Sequence, residues 1–480
     1  MTANSDVWYV PAAIQLSRCK LAQANYFVHR GKQGTLSTAL SKFRRLTFID
    51  WVICGVACIG FAFDTYELLV LTVTVQPALS EFLAAKPGSA EFNRWIGLMF
   101  YVPAIAGGIF GLLGGYLIDR FGRRPILFWS ILLFCFSALA TAYSFSAQQL
   151  LLYRCITFVG VSVEFVAATA WLAELFPERD QRETILGSTQ IFASTGGILM
   201  SGASYLSLSI GPLLPAIHGG HEAWRYTILW GILPAIPLLV VRPLLPESPI
   251  WKKKREEGTL QRPSIMELFH PEYRNTAVLS CFMMACAYAA SFGMLQHFFR
   301  IIPGTPGVRE LARVEQLKIA SLLQGYQEAG SLIGRILMAI LAIFIIGRRR
   351  LLRIFQIPGL ILIPLVVLLP AVRDTAMSPW GIFFLGTVSV AQFSFWGNYL
   401  PTLYPTHLRG TGESFAANVG GRMLGTSAAL ITTSIVAYMP GGTATRQLGY
   451  AAGIVGFLAY AAGFIGSFWL PEPREKLITE

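Results

Sequence analysis

Asp64, Glu67, Arg154, Glu164, Glu328, Arg335 and Arg422 each stand inside a run of otherwise apolar sequence. Ionisable side chains are costly in such surroundings, so each is a candidate for work that apolar residues cannot do. A carboxyl there can hold and release a proton, because loss of water favours its neutral form while a nearby guanidinium favours the charged one. A guanidinium there can grip a carboxylate through two parallel hydrogen bonds. At a helical rise of about 1.5 Å per residue, Asp64 and Glu164 fall within about 3 Å of the middle of their runs, and Glu67 and Arg154 about 7 to 12 Å toward one end. An arginine side chain covers much of that difference. Arg154 can therefore reach either acid of the first run, and depth alone favours Glu67.

The runs that position these residues are long enough to cross a bilayer, about 20 residues each. They recur along most of a 480-residue chain that is 54% hydrophobic and only 13% charged, which is the composition of an all-α polytopic membrane protein. Spans 1 to 6 are predicted at about 47–77, 95–118, 125–144, 148–175, 184–212 and 225–245. Spans 7 to 12 follow at about 275–301, 318–346, 354–372, 379–402, 412–439 and 448–470. The plan is an N-terminal tail over 1–46, a bundle over 47–245, a soluble linker over 246–274 rich in lysine, a second bundle over 275–470, and a short tail over 471–480.

The net charge of +12 does not signal nucleic acid, because the basic residues sit in turns between spans. With both termini cytoplasmic, the inner segments hold about 25 Lys and Arg and the outer loops about nine, which orients the chain. Its lasting neighbour is the lipid bilayer. Six of the seven cysteines lie in apolar runs and read as packing residues, not disulfides or metal ligands. No secretory leader precedes span 1, so that span itself is expected to direct insertion.

The turn between spans 2 and 3 reads Gly115-Tyr-Leu-Ile-Asp119-Arg120-Phe-Gly122-Arg123-Arg124-Pro125. It matches G-x-x-x-D-R-x-G-R-R at every defined position, and in this the chain resembles the major facilitator superfamily. The resemblance implies twelve helices in two six-helix bundles related by a pseudo-twofold axis, rocking about a central site. It implies a secondary transporter, not an enzyme, with no cofactor and no metal. An internal repeat agrees: span 4 leaves through Glu174-Leu-Phe-Pro177 to Arg182, and span 10 through Thr402-Leu-Tyr-Pro405 to Arg409-Gly410. A worn copy of the turn, Gly347-Arg348-Arg349-Arg350, has Phe344 in the place of Asp119. Gly115, Asp119, Arg120, Gly122, Arg123, Arg124, Glu174, Arg182 and Arg409 are therefore expected to form a cytoplasmic gate. Gly107, Gly111 and Gly115 of span 2, with Gly421 and Gly425 of span 11, suit a sliding seam between bundles, packing within one bundle, or a face turned to lipid.

Finer resemblances pull two ways. Phe63-Asp64-Thr65 is similar to span 1 of sugar porters and related proton symporters, where the aspartate takes the coupling proton and pairs with the arginine of a Tyr-Arg, here Tyr153-Arg154. That assigns proton coupling to Asp64 and Arg154, with Glu67 beside them; a fixed ion pair is the alternative. Arg154-x5-Gly160-x3-Glu164 resembles the span 4 pattern of metabolite:proton symporters, which include aromatic-acid and sialic-acid carriers, although Phe158, Ser162 and Val163 replace glycines of that pattern. Asn418-x-x-Gly421-Arg422 is also similar to these carriers, and Arg422 can meet a solute carboxylate or a protein acid such as Glu413 or Glu164. Pro246-Glu247-Ser248-Pro249 and Gln190 look like sugar-porter features, yet span 7 reads Cys281-Phe282-Met283-Met284 where sugar porters keep a glutamine pair. An organic anion or sugar acid is thus favoured, bound by Glu164, Gln190, Tyr288, Gln296 and Arg422.

The expected function is proton-coupled import of a small organic solute by one chain acting as a monomer in a cell membrane, the bacterial inner membrane being favoured. A sugar porter or facilitator is the first rival. An efflux antiporter lacks support, because Gly196-Gly197 and Gly211-Pro212 do not form the combined G-x-x-x-G-P-x-x-G-G run. A non-transporting nutrient sensor is expected to need a long signalling tail.

Overall fold

An apolar run in a dry environment must satisfy its own backbone, and coiling into a helix does so. The computed structural model describes residues 46–471, apart from 177, 259–263, 346 and 405–407, and without the side chains at 115, 119, 179, 180, 182–184, 190, 254, 343, 398, 401 and 409. The two terminal tails lie outside the described residues.

Helix α1 runs Phe48–Phe82 and opens on a capping box, Thr47 accepting from the Asp50 amide and Asp50 from the Thr47 amide. Then come α2 (Ala90–Phe121), α3 (Arg123–Ala142), α4 (Ala147–Leu175) and α5 (Arg179–Ile210). Helix α6 is split into Ala223–Ile232 and Ala235–Val241 around Pro234, which has no amide hydrogen to donate. The second half repeats the order as α7 (Arg274–Gly293), α8 (Arg313–Phe344), α9 (Arg348–Ile363, carried on to Arg373), α10 (Pro379–Tyr399), α11 and α12 (Ala444–Gly466). Helix α11 is Arg409–Phe415, a π-helical stretch Ala416–Gly425, and Ser427–Ile435. Several helices outrun the predicted spans by about a turn, because polar ends prolong a helix past its apolar run. The linker, expected only to be soluble, holds a short helix, Pro249–Glu256.

Among the described residues, nine helices are long and apolar enough to cross a membrane. The helices that fall short are α8, α10 and α11. Two of them carry intramembrane charges: Glu328 and Arg335 on α8, Arg422 on α11.

The two halves repeat each other in their contacts. Arg225, third residue of α6, donates to the carbonyls of Ala142 and Ser144 at the end of α3. Arg446, third residue of α12, donates likewise to Ala371 and Val372 at the end of α9. At the opposite end Arg124 reaches the Pro243 carbonyl, and Arg349 the Leu470 carbonyl. In both halves the third helix is thus clamped at each end to the sixth. An Ala-x-Arg start to each sixth helix, Ala223 to Arg225 and Ala444 to Arg446, is the sequence trace of this repeat.

The hydrophobic interior is divided unevenly. At the end remote from the Arg-rich turns, one cluster runs through both halves, from Tyr66, Leu79, Phe92 and Trp224 to Phe292, Phe298, Val436 and Leu448. At the Arg-rich end there are two clusters, one per half: Ile53, Leu127, Leu172 and Leu245 in the first, and Leu268, Leu352, Tyr399 and Leu408 in the second. Among the described residues, apolar packing joins the halves at one end, called here the sealed end, and is separate in each half at the other, the divided end.

Candidate functional site

Helices α1 and α4 bring two carboxyls face to face in the N-terminal half. Asp64 and Glu164 are both buried, and their carboxyls are near enough to act on each other directly, with no oxygen of either accepting a hydrogen bond among the described residues. A proton on either carboxyl would supply the donor that the pair lacks. Glu164 also pairs with Arg242 at 2.5 Å, both side chains being almost wholly enclosed. Gly60, one turn before Asp64, makes room for this: a Cβ there would stand 2.6 Å from the Arg242 guanidinium and 3.2 Å from Glu164. Sequence reading passed over Arg242 because it stands at the rim of span 6, next to Pro243, where arginines usually orient the chain.

From the other half comes Arg422, on the π-helical stretch of α11. It donates to Asn418 Oδ1 at 2.8 Å, lies 6.0 Å from the Phe165 ring centre, and acts electrostatically on Asp64. Such stretches recur at functional positions in helices. Helix α2 approaches closely here, since a Cβ on Gly111 would run into Asn418 and one on Gly108 would meet Met423 at 2.5 Å. The small residues of α2 therefore serve both purposes considered above: Gly108 and Gly111 face the other half, whereas Gly107 packs on Ser162 and Phe158 of α4. Gly421 and Gly425 instead pack on Tyr288 of α7, within their own half.

Arg154 does not pair with Asp64. It bonds Glu67 twice, carboxylate at 3.1 Å and backbone carbonyl at 2.6 Å. Depth is the reason: Glu67 is about one turn nearer the sealed end, level with Arg154. The guanidinium also lies 5.3 Å from the ring of Phe158, one of the residues that depart from the glycine pattern. Gly160 has a packing duty, a Cβ there meeting Ser130 and Phe134 of α3 at 3.0 and 2.8 Å.

The remaining expected solute residues separate. Tyr288 stacks on Phe292 at 5.8 Å and lies edge-on to Phe393 at 5.1 Å, against the π-helical stretch that holds Arg422. Gln296 is bonded to Thr72 across the two halves, about 12 Å along α1 from Asp64. The structure gives it to the sealed end, together with Arg300 and Asn93, bonded at 2.7 Å. The side chain of Gln190 lies outside the described residues.

At the divided end, Arg123 pairs with Glu174 at 2.7 Å and donates to the Ile118 carbonyl. Both residues belong to the N-terminal half, so this bridge ties α3 to α4 and does not cross between halves. Among the described residues Arg120 contacts its own helix, through the Tyr116 hydroxyl and the Phe121 ring. The surroundings of Gly115 and the side chains of Asp119, Arg182 and Arg409 lie outside the described residues. Glu247 is the acid not foreseen here: its two oxygens accept the backbone amides of Arg123 and Arg124 at 3.2 and 3.1 Å. A carboxylate at a helix N-terminus is favourable, and Gly122, at φ 97°, leaves space that a Cβ would close to 2.6 Å from it. Glu247→Ala should release the linker helix at a cost of about 1 to 2 kcal/mol. Trypsin should then cut sooner at the cluster from Lys252 to Arg255, and an unchanged cleavage rate would contradict the anchor.

The family model for the Major Facilitator Superfamily matches residues 52–429. A protein of Cupriavidus pinatubonensis named "Probable 4-methylmuconolactone transporter" is 26% identical over 418 residues, 86% of this chain and 89% of that protein. The sialic acid transporter NanX of Escherichia coli is 21% identical over 388 residues, 80% and 86% of the two chains. The 4-hydroxybenzoate transporter PcaK of Pseudomonas putida is 34% identical over 157 residues, 32% and 33% of the two chains. Among solved structures, a D-xylose-proton symporter superposes with a TM-score of 0.68 at 18% identity, over 88% of this chain and 98% of that one.

Proposed function

The chain belongs to the Major Facilitator Superfamily, and from that premise we propose that it imports a small organic anion together with protons by alternating access. It is a multi-pass membrane transporter. The observation that carries the finer reading is the meeting of Asp64 and Glu164 between two guanidiniums, Arg242 of their own half and Arg422 of the other.

Two carboxyls in contact are stable with one proton between them. Without it, adjacent negative charges need a guanidinium to balance them. Arg422 supplies part of that balance, and it rides on the half that moves relative to Asp64. A solute carboxylate docking on Arg422 would take up its charge. The acid pair would then be left to accept a proton. Anion and proton thus bind together, which is the condition for symport. Tyr288 would border the solute on the second half. Arg154, fixed twice to Glu67, serves in this account as a strut joining α4 to α1, and charge compensation passes to Arg242 and Arg422.

Charge bias puts the Arg-rich turns, the linker and both termini in the cytoplasm. The sealed end would then face outward, and the separate apolar clusters at the other end support reading the arrangement as inward-open, with bundles over 47–245 and 275–470 and a linker over 246–274. Both halves of the acid and guanidinium cluster come from one chain, so a monomer suffices. A bacterial inner membrane fits the relatives. Sialic acid and 4-hydroxybenzoate, named for two of them, are carboxylic acids and support an organic acid as solute. A sugar is the second reading, favoured by Pro246 to Pro249 and opposed by the absence of an amide pair in α7.

Purified protein in liposomes, with a trapped pH dye, can be offered sialic acid, 4-hydroxybenzoate, sugar acids and neutral sugars in turn. Acidification of the lumen driven by at least one carboxylate, with the neutral sugars silent, is expected. Proton movement with neutral sugars alone would overturn the anion assignment.

A further inference from the structure

One carboxyl deep in the C-terminal half takes no part in the cluster around Asp64. Glu328 lies midway along α8 and is 4% exposed. Its Oε1 accepts from the side-chain amides of Gln324 and Gln327, at 3.0 Å each. Its Oε2 presses on α5 of the opposite half, where a Cβ on Gly197 would run into it. About two turns toward the sealed end, Ser204 of α5 meets Ser321 of α8 at 2.9 Å. The α5–α8 contact is therefore a seam between the halves. It has to part for the sealed end to open.

Few charged groups surround Glu328. Arg335, farther along α8, acts on it electrostatically and itself feels Tyr288 of α7. Helix α5 offers Gly197 and Ser201, and α10 meets the Gln327 backbone through Gly386, none of them ionisable. A carboxyl enclosed in a dry seam is best kept neutral, whereas one wetted by an open seam is best left charged. Both amides donate to one oxygen, so they hold the group in place in either charge state.

We propose that Glu328 is a second proton-binding site of the transport cycle, taking a proton from the outer water as α5 and α8 close over it and returning it to that water as they part. This rests on the alternating-access reading above and adds that outer pH biases which way the molecule faces. The seam between Gly197 and Glu328 would be the bistable element, with the two glutamines as positioning residues.

The test needs no solute. In S204C/S321C protein, copper-phenanthroline joins the halves where the seam is closed, and trypsin cleavage of the linker shows which molecules are joined. Relative to the same pair combined with E328Q, joining should fall about threefold between about pH 5.5 and about pH 8.5, the range over which the group would lose its proton. Glutamine still accepts from both amides, so E328Q should fold, and its own profile corrects for thiol reactivity. E328D should keep the pH dependence. Identical profiles with Glu328 and with E328Q, or a flat one for E328D, would overturn the proposal. The joining profile is read without solute and at Glu328 alone, whereas the coupling assignment is read by uphill accumulation in Asp64→Asn, so failure of the one and failure of the other are separable.

Discussion

Asp64→Asn is expected to abolish uphill accumulation while sparing exchange. The introduced amide can still donate to Glu164, as a protonated Asp64 would, so the pair is held permanently at the charge of its singly protonated form. With an imposed gradient of about two pH units, one proton per solute supports about 100-fold accumulation, since each unit is worth about 1.4 kcal/mol. The variant should reach a ratio of about one, a loss of about 100-fold, yet exchange labelled for unlabelled solute across equilibrated liposomes. Glu164→Gln should do the same, with slower exchange, because Arg242 loses its carboxylate. Full accumulation by the Asp64 variant would place the coupling proton elsewhere.

The second large effect concerns stability. Arg154 and Glu67 form a buried pair with side chains 1% and 0% exposed, and removing one partner strands the other. Arg154→Ala should cost about 3 to 5 kcal/mol, seen as a lower apparent melting temperature and poor yield of monodisperse protein. Removing both charges together should recover part of that loss, because no lone charge is left behind. Arg154→Lys should rescue little: one guanidinium bonds both the Glu67 carboxylate and its carbonyl, a fork that an ammonium does not reproduce. Any Glu67→Gln protein that folds should still accumulate solute. An uncoupled but fully stable Glu67→Gln protein would return the coupling role to this pair.

Much of this architecture was legible in the chain. Apolar runs gave the all-helical membrane fold, nine of its helices being long and apolar enough to cross a bilayer among the described residues, and the Gly115 to Pro125 turn gave the family. Helical rise alone set Asp64 and Glu164 at one depth and Glu67 with Arg154 at another, and the structure keeps both groupings. The motif around Asp64 led instead to a pairing with Arg154, because a motif carries residue types but not the depth of their partners. Arg242 was hidden by its place at a rim, and Glu247 by a motif read only as a family mark. No local pattern announces the π-helical stretch that holds Arg422 and packs against α2 and α7. Glu328 could be seen as an intramembrane charge, but its setting between two glutamines and Gly197 depends on how α5 crosses α8.

The account turns on a single proton shared by Asp64 and Glu164. Infrared difference spectra of the protein in lipid, recorded between acid and alkaline buffer, report protonated carboxyls through their C=O stretch. One component of that band should vanish in Asp64→Asn, and the same component should vanish in Glu164→Gln, while a component belonging to Glu328 survives both changes. Loss of different components in the two variants, or of none, would mean that the pair shares no proton and that the coupling described here is wrong.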